Sequence, residues 1–313
     1  MKDKLFCNKL KSNGITRNAP MPQFFINNEN IHEDKIIITN KSDINHITNV
    51  LRNRKKDKLI LSGVENIVYE AEIVLIKPEL IEAKITDKYH SDKKLKINIT
   101  LAQSIIKSNK QDFLVQKTTE LGVRTIIPFI SKNTVVRFDS EKDKLQKIQR
   151  WQKIVYESAK QCQRGDLTDI KQISTFNEII NLENFDLKIV CSEKENSLSI
   201  RQVLQACNED CHCERPTREP AFLIEYQKRR GTRQSKTISN ENVWIASSNS
   251  SSSPRNDIRN ILLVIGPEGG WEDSEIEKLK QKGFASVTLG KLVYRAETAA
   301  VAAISHIIYE YEL

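Results

Sequence analysis

Ile261-Leu-Leu-Val-Ile265 is an apolar run of strand length that passes through Gly266-Pro-Glu-Gly-Gly270 directly into a stretch, Trp271-Glu-Asp-Ser-Glu-Ile276, that reads as a helix start. A strand, a glycine turn and a helix in immediate succession restrict the fold, because a strand with no polar alternation has to be covered on both faces. The same rhythm runs from residue 96 to the end. KINITLAQ is strand-like, and in KQDFLVQKTTELG the residues Phe113, Leu114, Lys117 or Thr118, and Leu121 share a helical face that stops at Gly122. VRTIIPFIS is the next strand. LQKIQRWQKIVYESAKQCQR then places Leu145, Ile148, Trp151, Val155, Ala159 and Cys162 at helical spacing. LKIVCS and ASVTLG are further short buried strands, and ETAAVAAISHIIYEYEL closes the chain as an apolar helix. This alternation predicts an α/β domain built on a parallel sheet.

The preceding part differs. Between residues 21 and 90 the short runs PQFFI, KIIIT, KLILS, VYEAEIVLI and LIEAKI are separated by polar turns, and Val68, Ala71, Ile73 and Leu75 partly alternate with polar neighbours. That pattern predicts a small β-barrel or sheet. One helical stretch interrupts it, with Ile44, Ile47, Val50 and Leu51 on one face and His46, Arg52, Arg54, Lys55 and Lys56 on the other. Residues 1–20 are polar and basic, and a second methionine, Met21, opens the apolar pattern, so the leader is expected to be a disordered tail or a matter of start-site choice.

Residues 207 to about 258 carry no sustained periodicity and end in a serine run, which predicts a disordered surface insertion in the α/β domain. The six cysteines are dispersed over the 313 residues, a distribution expected of free thiols in a reducing cytoplasm. Cys211-His212-Cys213 lacks the spacing and the second pair of a zinc site, so no metal is expected. No apolar run is long enough to span a bilayer, and the amino end has no signal-peptide core. A formal net charge of +8 attracts polyanions, of which nucleic acid is the leading class.

Gly266-Pro-Glu-Gly-Gly270 matches neither the Walker phosphate loop nor the dinucleotide fingerprint, and Glu268 would repel a phosphate. A neutral or cationic ligand suits it better. After the turn, Trp271 and Ile276 are placed to staple the helix start; Glu272 is a poor N-cap, so the start could slip to Ser274 with Glu277 as its partner. A second unusual turn follows the next strand: Leu289-Gly-Lys-Leu-Val-Tyr-Arg-Ala-Glu-Thr-Ala-Ala300. Two glycine-bearing turns at the carboxyl ends of adjacent strands are where open α/β sheets bind ligands.

The ordered pair GPEGG and LG(x)4RAETAA resembles the SPOUT superfamily of knotted S-adenosyl-L-methionine-dependent RNA methyltransferases. Within it, HITNVLR, QDFLVQKTTELGV and RWQKIVYESAKQC are similar to the ribosomal RNA small subunit methyltransferase E (RsmE) family, over nearly all of residues 21–313 outside the insertion. The resemblance implies a PUA-like β-barrel over residues 21–92 and a SPOUT domain with a trefoil knot over 95–313, its parallel sheet flanked by helices. It implies a cytoplasmic homodimer that methylates N3 of one uridine in 16S rRNA of the small ribosomal subunit. The donor would be held by Ile265, Gly266, Pro267, Glu268, Gly269 and Gly270 from the first turn, and by Leu289, Gly290, Leu292, Arg295 and Thr298 from the second.

Methylation of an imide nitrogen needs its proton removed or the resulting anion stabilised. Arg295 is the candidate for holding the anion or its phosphate, and Glu268 and Glu297 are candidates for the base or for orienting Arg295. RNA contacts are expected at His46, Arg52, Lys117, Arg137, Arg150, Lys153 and Arg164, which would confer salt-dependent affinity without reading sequence. Several positions depart from the family pattern. Gln23 replaces an arginine, Leu292 an arginine, Gln163 a glycine and Ala296 a threonine. The departures at Leu292 and Ala296 keep a catalytically silent RNA-binding relative in view, and another RNA substrate is a smaller displacement.

Overall fold

The computed structural model describes residues 23–63, 66–91, 93–209 and 260–313. The expected leader, nearly all of the expected insertion and Cys211, His212 and Cys213 lie outside them. The chain divides into two compact units, one ending at Ser91 and the other starting at Asp92.

The first unit is a six-stranded curled half-barrel, consistent with the expected barrel. Its strands are β1 (Gln23–Phe25), β2 (Ile31–His32), β3 (Lys35–Ile38), β4 (Lys58–Ser62), β5 (Ile67–Ile76) and β6 (Ile81–His90), in the order β1-β4-β5-β6-β3-β2. In β5 the buried set Val68, Ala71, Ile73 breaks the two-residue period because the register with β6 shifts between Glu70 and Ala71. An extra residue there re-aims the side chains that follow. A second irregularity between Ile73 and Leu75 leaves Leu75 exposed rather than inward. The helical stretch is α1 (Lys41–Asn45), capped by the Asn40 side chain and continued by one π-turn over His46–Val50. Ile44 and Ile47 are buried as expected, but Val50 is 65% exposed, because the π-turn widens the helix and rotates it off the face.

The second unit is a parallel sheet with helices on both faces. Its strands are β7 (Asn98–Ser104), β8 (Thr125–Ile130), β9 (Asp169–Ile170), β10 (Ser174–Thr175), β11 (Leu187–Cys191), β12 (Asn260–Ile265) and β13 (Ala285–Val287), ordered β10-β8-β7-β12-β11-β13 with β9 also on β8. The helices are α2 (Ser108–Glu120), α3 (Glu141–Cys162), α4 (Phe176–Ile180), α5 (Ile200–Glu209), α6 (Asp273–Gln281) and α7 (Ala296–Glu312). The unbroken apolar run of β12 is explained by this layering. Ile261, Leu263 and Ile265 join the core under α2, α3, α5 and α7, while Leu262 and Val264 join the core under α4 and α6.

Two helix faces differ from expectation. Phe113 is 47% exposed and Leu145 48% exposed, because the buried stripes are Gln111, Leu114, Val115, Thr118 and Thr119 on α2, and Ile148, Trp151, Val155 and Ala159 on α3. Gly122 does end α2, with φ +92. Among the described residues no helix is long and apolar enough to cross a membrane.

Candidate active site

The parallel pairing brings several strand ends to one edge. Ile265 is in register with Gln103 of β7 and with Cys191 of β11, and Cys191 with Val287 of β13. The two motif turns therefore leave the same edge of the sheet, but β12 and β13 are not adjacent, since β11 lies between them. Its following loop, Ser192–Asn196, thus stands between the two turns, and no glycine in it marked it.

The first turn is shaped by what its glycines touch. A Cβ on Gly266 would stand 2.8 Å from the Trp271 indole, and that ring is 2% exposed, donates its Nε1–H to the Cys191 carbonyl at 2.9 Å and stacks on Phe129. Gly269 lies against Asn133, and Gly270, at φ +72, against the Glu193 carboxylate, which also accepts from the Trp271 N–H at 3.3 Å. Trp271 and Ile276 are buried in one cluster and close the start of α6 as expected. The start does not slip to Ser274. Glu272 is the N-cap, its N–H donating to Glu275 Oε2 at 3.2 Å, while Glu275 Oε1 accepts from the Lys132 N–H at 3.0 Å. Because Glu275 is buried and fully engaged, it supplies the order that Glu272 lacks as a cap.

Glu268 turns away from its own helix toward α2. Its carboxylate pairs with Lys110 and accepts from the Lys107 N–H at 3.4 Å, at the positive end of α2. Partial burial opposes its charge, but the Lys110 ammonium and the Lys107 N–H outweigh that and hold its carboxyl below the ordinary range. Lys132 pairs with Glu272 at 2.6 Å and Lys194 with Asp273 at 2.6 Å, so the first turn of α2 and the loops after β8 and β11 each fasten to an acidic residue around this turn.

The second turn is open. Gly290 has φ +134 with no atom within 4 Å of where a Cβ would stand, and Leu292 and Val293 are 73% and 79% exposed. Leu289 is half-buried against the core, Arg295 is the exposed N-cap of α7, and Thr298 is exposed one turn on. Glu297 is 9% exposed, and its Oε2 is buried without a hydrogen-bond partner. Gln103 Oε1 is a second such oxygen at this edge; the Gln103 amide nitrogen donates to the Ser104 carbonyl at 2.8 Å and to the Gly266 carbonyl at 3.4 Å. Sequence reasoning missed Gln103. Its signal was a polar pair, Gln103-Ser104, following Leu101-Ala102 at the carboxyl end of the strand.

The basic residues separate into kinds. Arg52, Arg137 and Lys153 are exposed, and His46 is half-buried with its ring edge-on to Phe24. Lys117 pairs with Glu120 at 2.9 Å and Arg150 with Asp112 at 2.6 Å, although Arg150 stays 59% exposed. Arg164 does not face solvent. It is buried, with Nη1 donating to the Thr119 and Val123 carbonyls at 2.8 and 3.0 Å and Nε and Nη2 donating to Asp166. Its guanidinium joins the end of α2 to the segment after α3 rather than meeting a phosphate. Among the described residues no group of three or more His, Cys, Asp or Glu comes together that could hold a metal ion.

A family model described as an RNA methyltransferase domain matches residues 93–224 and 223–308. Ribosomal RNA small subunit methyltransferase E of Bacillus subtilis is 25% identical over 296 residues, covering 94% of this chain and 98% of that protein. The protein of the same name from Mesomycoplasma hyopneumoniae is 28% identical over 283 residues, covering 90% and 96%. The crystal structure of ribosomal RNA small subunit methyltransferase E from Neisseria gonorrhoeae, bound to S-adenosyl methionine, superposes with a TM-score of 0.67 at 25% identity, over 93% of this chain and 98% of that one.

Proposed function

The chain belongs to the RNA methyltransferase domain family, and from that membership we propose that it is a SPOUT enzyme methylating N3 of a specific uridine in 16S rRNA of the small ribosomal subunit. What carries this reading is the gathering of both motif turns at the carboxyl edge of one parallel sheet, with an exposed arginine and a buried, unpartnered carboxylate oxygen at the start of α7. The relatives' names support the rRNA substrate, and the neighbour's bound ligand supports the donor.

The residues fit that donor. Gln103 Oε1 is a buried acceptor lacking a donor at the first turn, and Gly290 leaves open space beside the second. A ligand carrying N–H groups and positive charge satisfies such a site, and S-adenosylmethionine has an ammonium, an amine and a sulfonium. When bound, it supplies the electrophilic methyl group. The backbone of Ile265–Gly270 and the segment Leu289–Thr298 would hold it, with Leu292 contributing no charged contact.

The two acidic candidates divide by their surroundings. Glu268 is paired and its carboxyl is held below the ordinary range, which disfavours it as a base. Glu297 takes the role of accepting the N3 proton, and Arg295 that of holding the uracil oxygen that becomes anionic. Uridine N3–H is about as weak an acid as a phenol, near pKa ~10, so stabilising the anion matters as much as the base. The exposed apolar run Leu292-Val293-Tyr294 supports a homodimer that covers it. Action on ribosomal RNA makes the cytoplasm its place of work.

Mass spectrometry of 16S rRNA fragments from cells lacking the protein tests the reading, with wild-type and Arg295→Ala copies restored. N3-methyluridine should vanish, return with the wild type and stay absent with the variant. Persistence of the modification in the deletion strain would overturn it, and rRNA binding without transfer would identify a silent relative.

A further inference from the structure

The loop leaving β8, Ser131-Lys-Asn-Thr134, has no glycine and no catalytic motif, yet it is pinned from two sides. Below it, the buried hydroxyls of Ser131 and Thr134 meet that of Ser104 at 2.7 and 3.0 Å, and the Ser131 N–H donates to Thr134 Oγ1 at 2.9 Å. Beside it, the Lys132 N–H donates to the buried Glu275 at 3.0 Å. What this rigid loop presents to the first motif turn is Asn133. Its Nδ2 donates to the Gly270 carbonyl at 3.1 Å and, more weakly, to the Gly269 carbonyl at 3.4 Å. A Cβ on Gly269 would stand 3.0 Å from the Asn133 carbonyl oxygen and 3.1 Å from its Cβ, so the two backbones touch.

We infer that Asn133 is a positioning residue for the donor turn. Its amide nitrogen faces two carbonyl oxygens, a place where only a donor is tolerated, and it fixes the peptide planes after Gly269 and Gly270. With the Gly269 and Gly270 carbonyls held by Asn133, that of Gly266 by Gln103 and that of Pro267 by the Gly270 N–H at 3.1 Å, four of the turn's acceptors are engaged inside the protein. The turn is thus set before any ligand arrives, which removes an ordering cost from binding. A carboxylate at this position would keep the shape and reverse the interaction.

The inference rests on the proposed donor site, and two measurements on the full-length protein separate them. The first is hydrogen exchange of the ligand-free protein, comparing wild type with Asn133→Asp and Asn133→Ala. Amides of residues 268–271 should exchange about ten-fold faster in the Asp variant, with a smaller change for Ala, while β12 amides keep wild-type protection. The second is S-adenosylmethionine titration and steady-state kinetics. Asn133→Asp should raise donor Kd about ten-fold or more, and Asn133→Ala should raise donor KM while leaving kcat at saturating donor within about two-fold. Unchanged exchange in residues 268–271 of both variants overturns the positioning role. So does unchanged donor Kd in a wild-type background that binds. Failure of the wild type itself to bind the donor overturns the proposed function, and the exchange comparison still decides the role of Asn133.

Discussion

Glu268, in the centre of the glycine turn after β12, forms its ion pair with Lys110 in the first turn of α2, 158 residues earlier in the chain. The pair closes the turn onto the neighbouring strand's helix. Both side chains are largely covered, Lys110 at 32% and Glu268 at 19% exposure, so screening is reduced but not abolished.

Glu268→Gln should therefore cost about 0.5–1 kcal/mol at neutral pH, and less at high salt. A carboxyl held below its ordinary value of 4.5 stabilises the fold above that pH, and the contribution is lost as pH falls through the folded pKa. Urea titrations of wild type and variant should separate at pH 7 and converge only as pH falls through the folded pKa, which lies below 4.5. Methyl transfer in Glu268→Gln should stay within about ten-fold of wild type, whereas Glu297→Gln should lose about a hundred-fold or more.

Gln163 ends α3 in the left-handed region, at φ +57, where the family pattern has glycine. The strain of a side chain there is about 1 kcal/mol, offset in part by the hydrogen bond from Lys93 Nζ to Gln163 Oε1 at 2.5 Å. Gln163→Gly should raise stability by about 0.5 kcal/mol, read from the urea midpoint at unchanged m. Activity should not move.

Gly266→Ala should be more damaging than its single carbon suggests. The added Cβ meets the Trp271 indole, which cannot retreat because it is buried, stacked on Phe129 and bonded to the Cys191 carbonyl. Overpacking at about 1–3 kcal/mol is expected, with loss of donor binding in calorimetry even at temperatures where the fold persists.

Arg164→Ala should destabilise by about 3 kcal/mol, because it removes the buried guanidinium that donates to the Thr119 and Val123 carbonyls, empties the space it fills and leaves Asp166 without its partner. Arg137→Ala and Lys153→Ala, both on exposed positions, should leave the melting temperature unchanged and weaken rRNA binding with a shallower salt dependence. A filter-binding series across salt concentrations, paired with thermal melts, distinguishes the two behaviours.

Much of the fold was legible because helical and strand periodicities are local. The apolar run of β12 forecast a sheet covered on both faces, and the α3 spacing forecast its buried stripe from Ile148 to Ala159. The paired turns GPEGG and LG(x)4RAETAA marked the edge where both emerge. Errors fell where a local rule met a neighbour. Phe113 and Leu145 have helical spacing but look outward, and Leu75 follows a register shift that no two-residue alternation contains.

What the sequence by itself determined is the order of elements and the chemistry of the two turns, since composition and periodicity act over a few residues. Tertiary structure alone decided that β11 separates those turns, that Glu268 is engaged while a Glu297 oxygen is not, and that Arg164 is interior. The reason is physical. Those outcomes depend on which strands hydrogen-bond and which carboxylates find a cation, and the contacts that settle them, such as Lys110 with Glu268 or Lys132 with Glu272, join residues 158 and 140 positions apart.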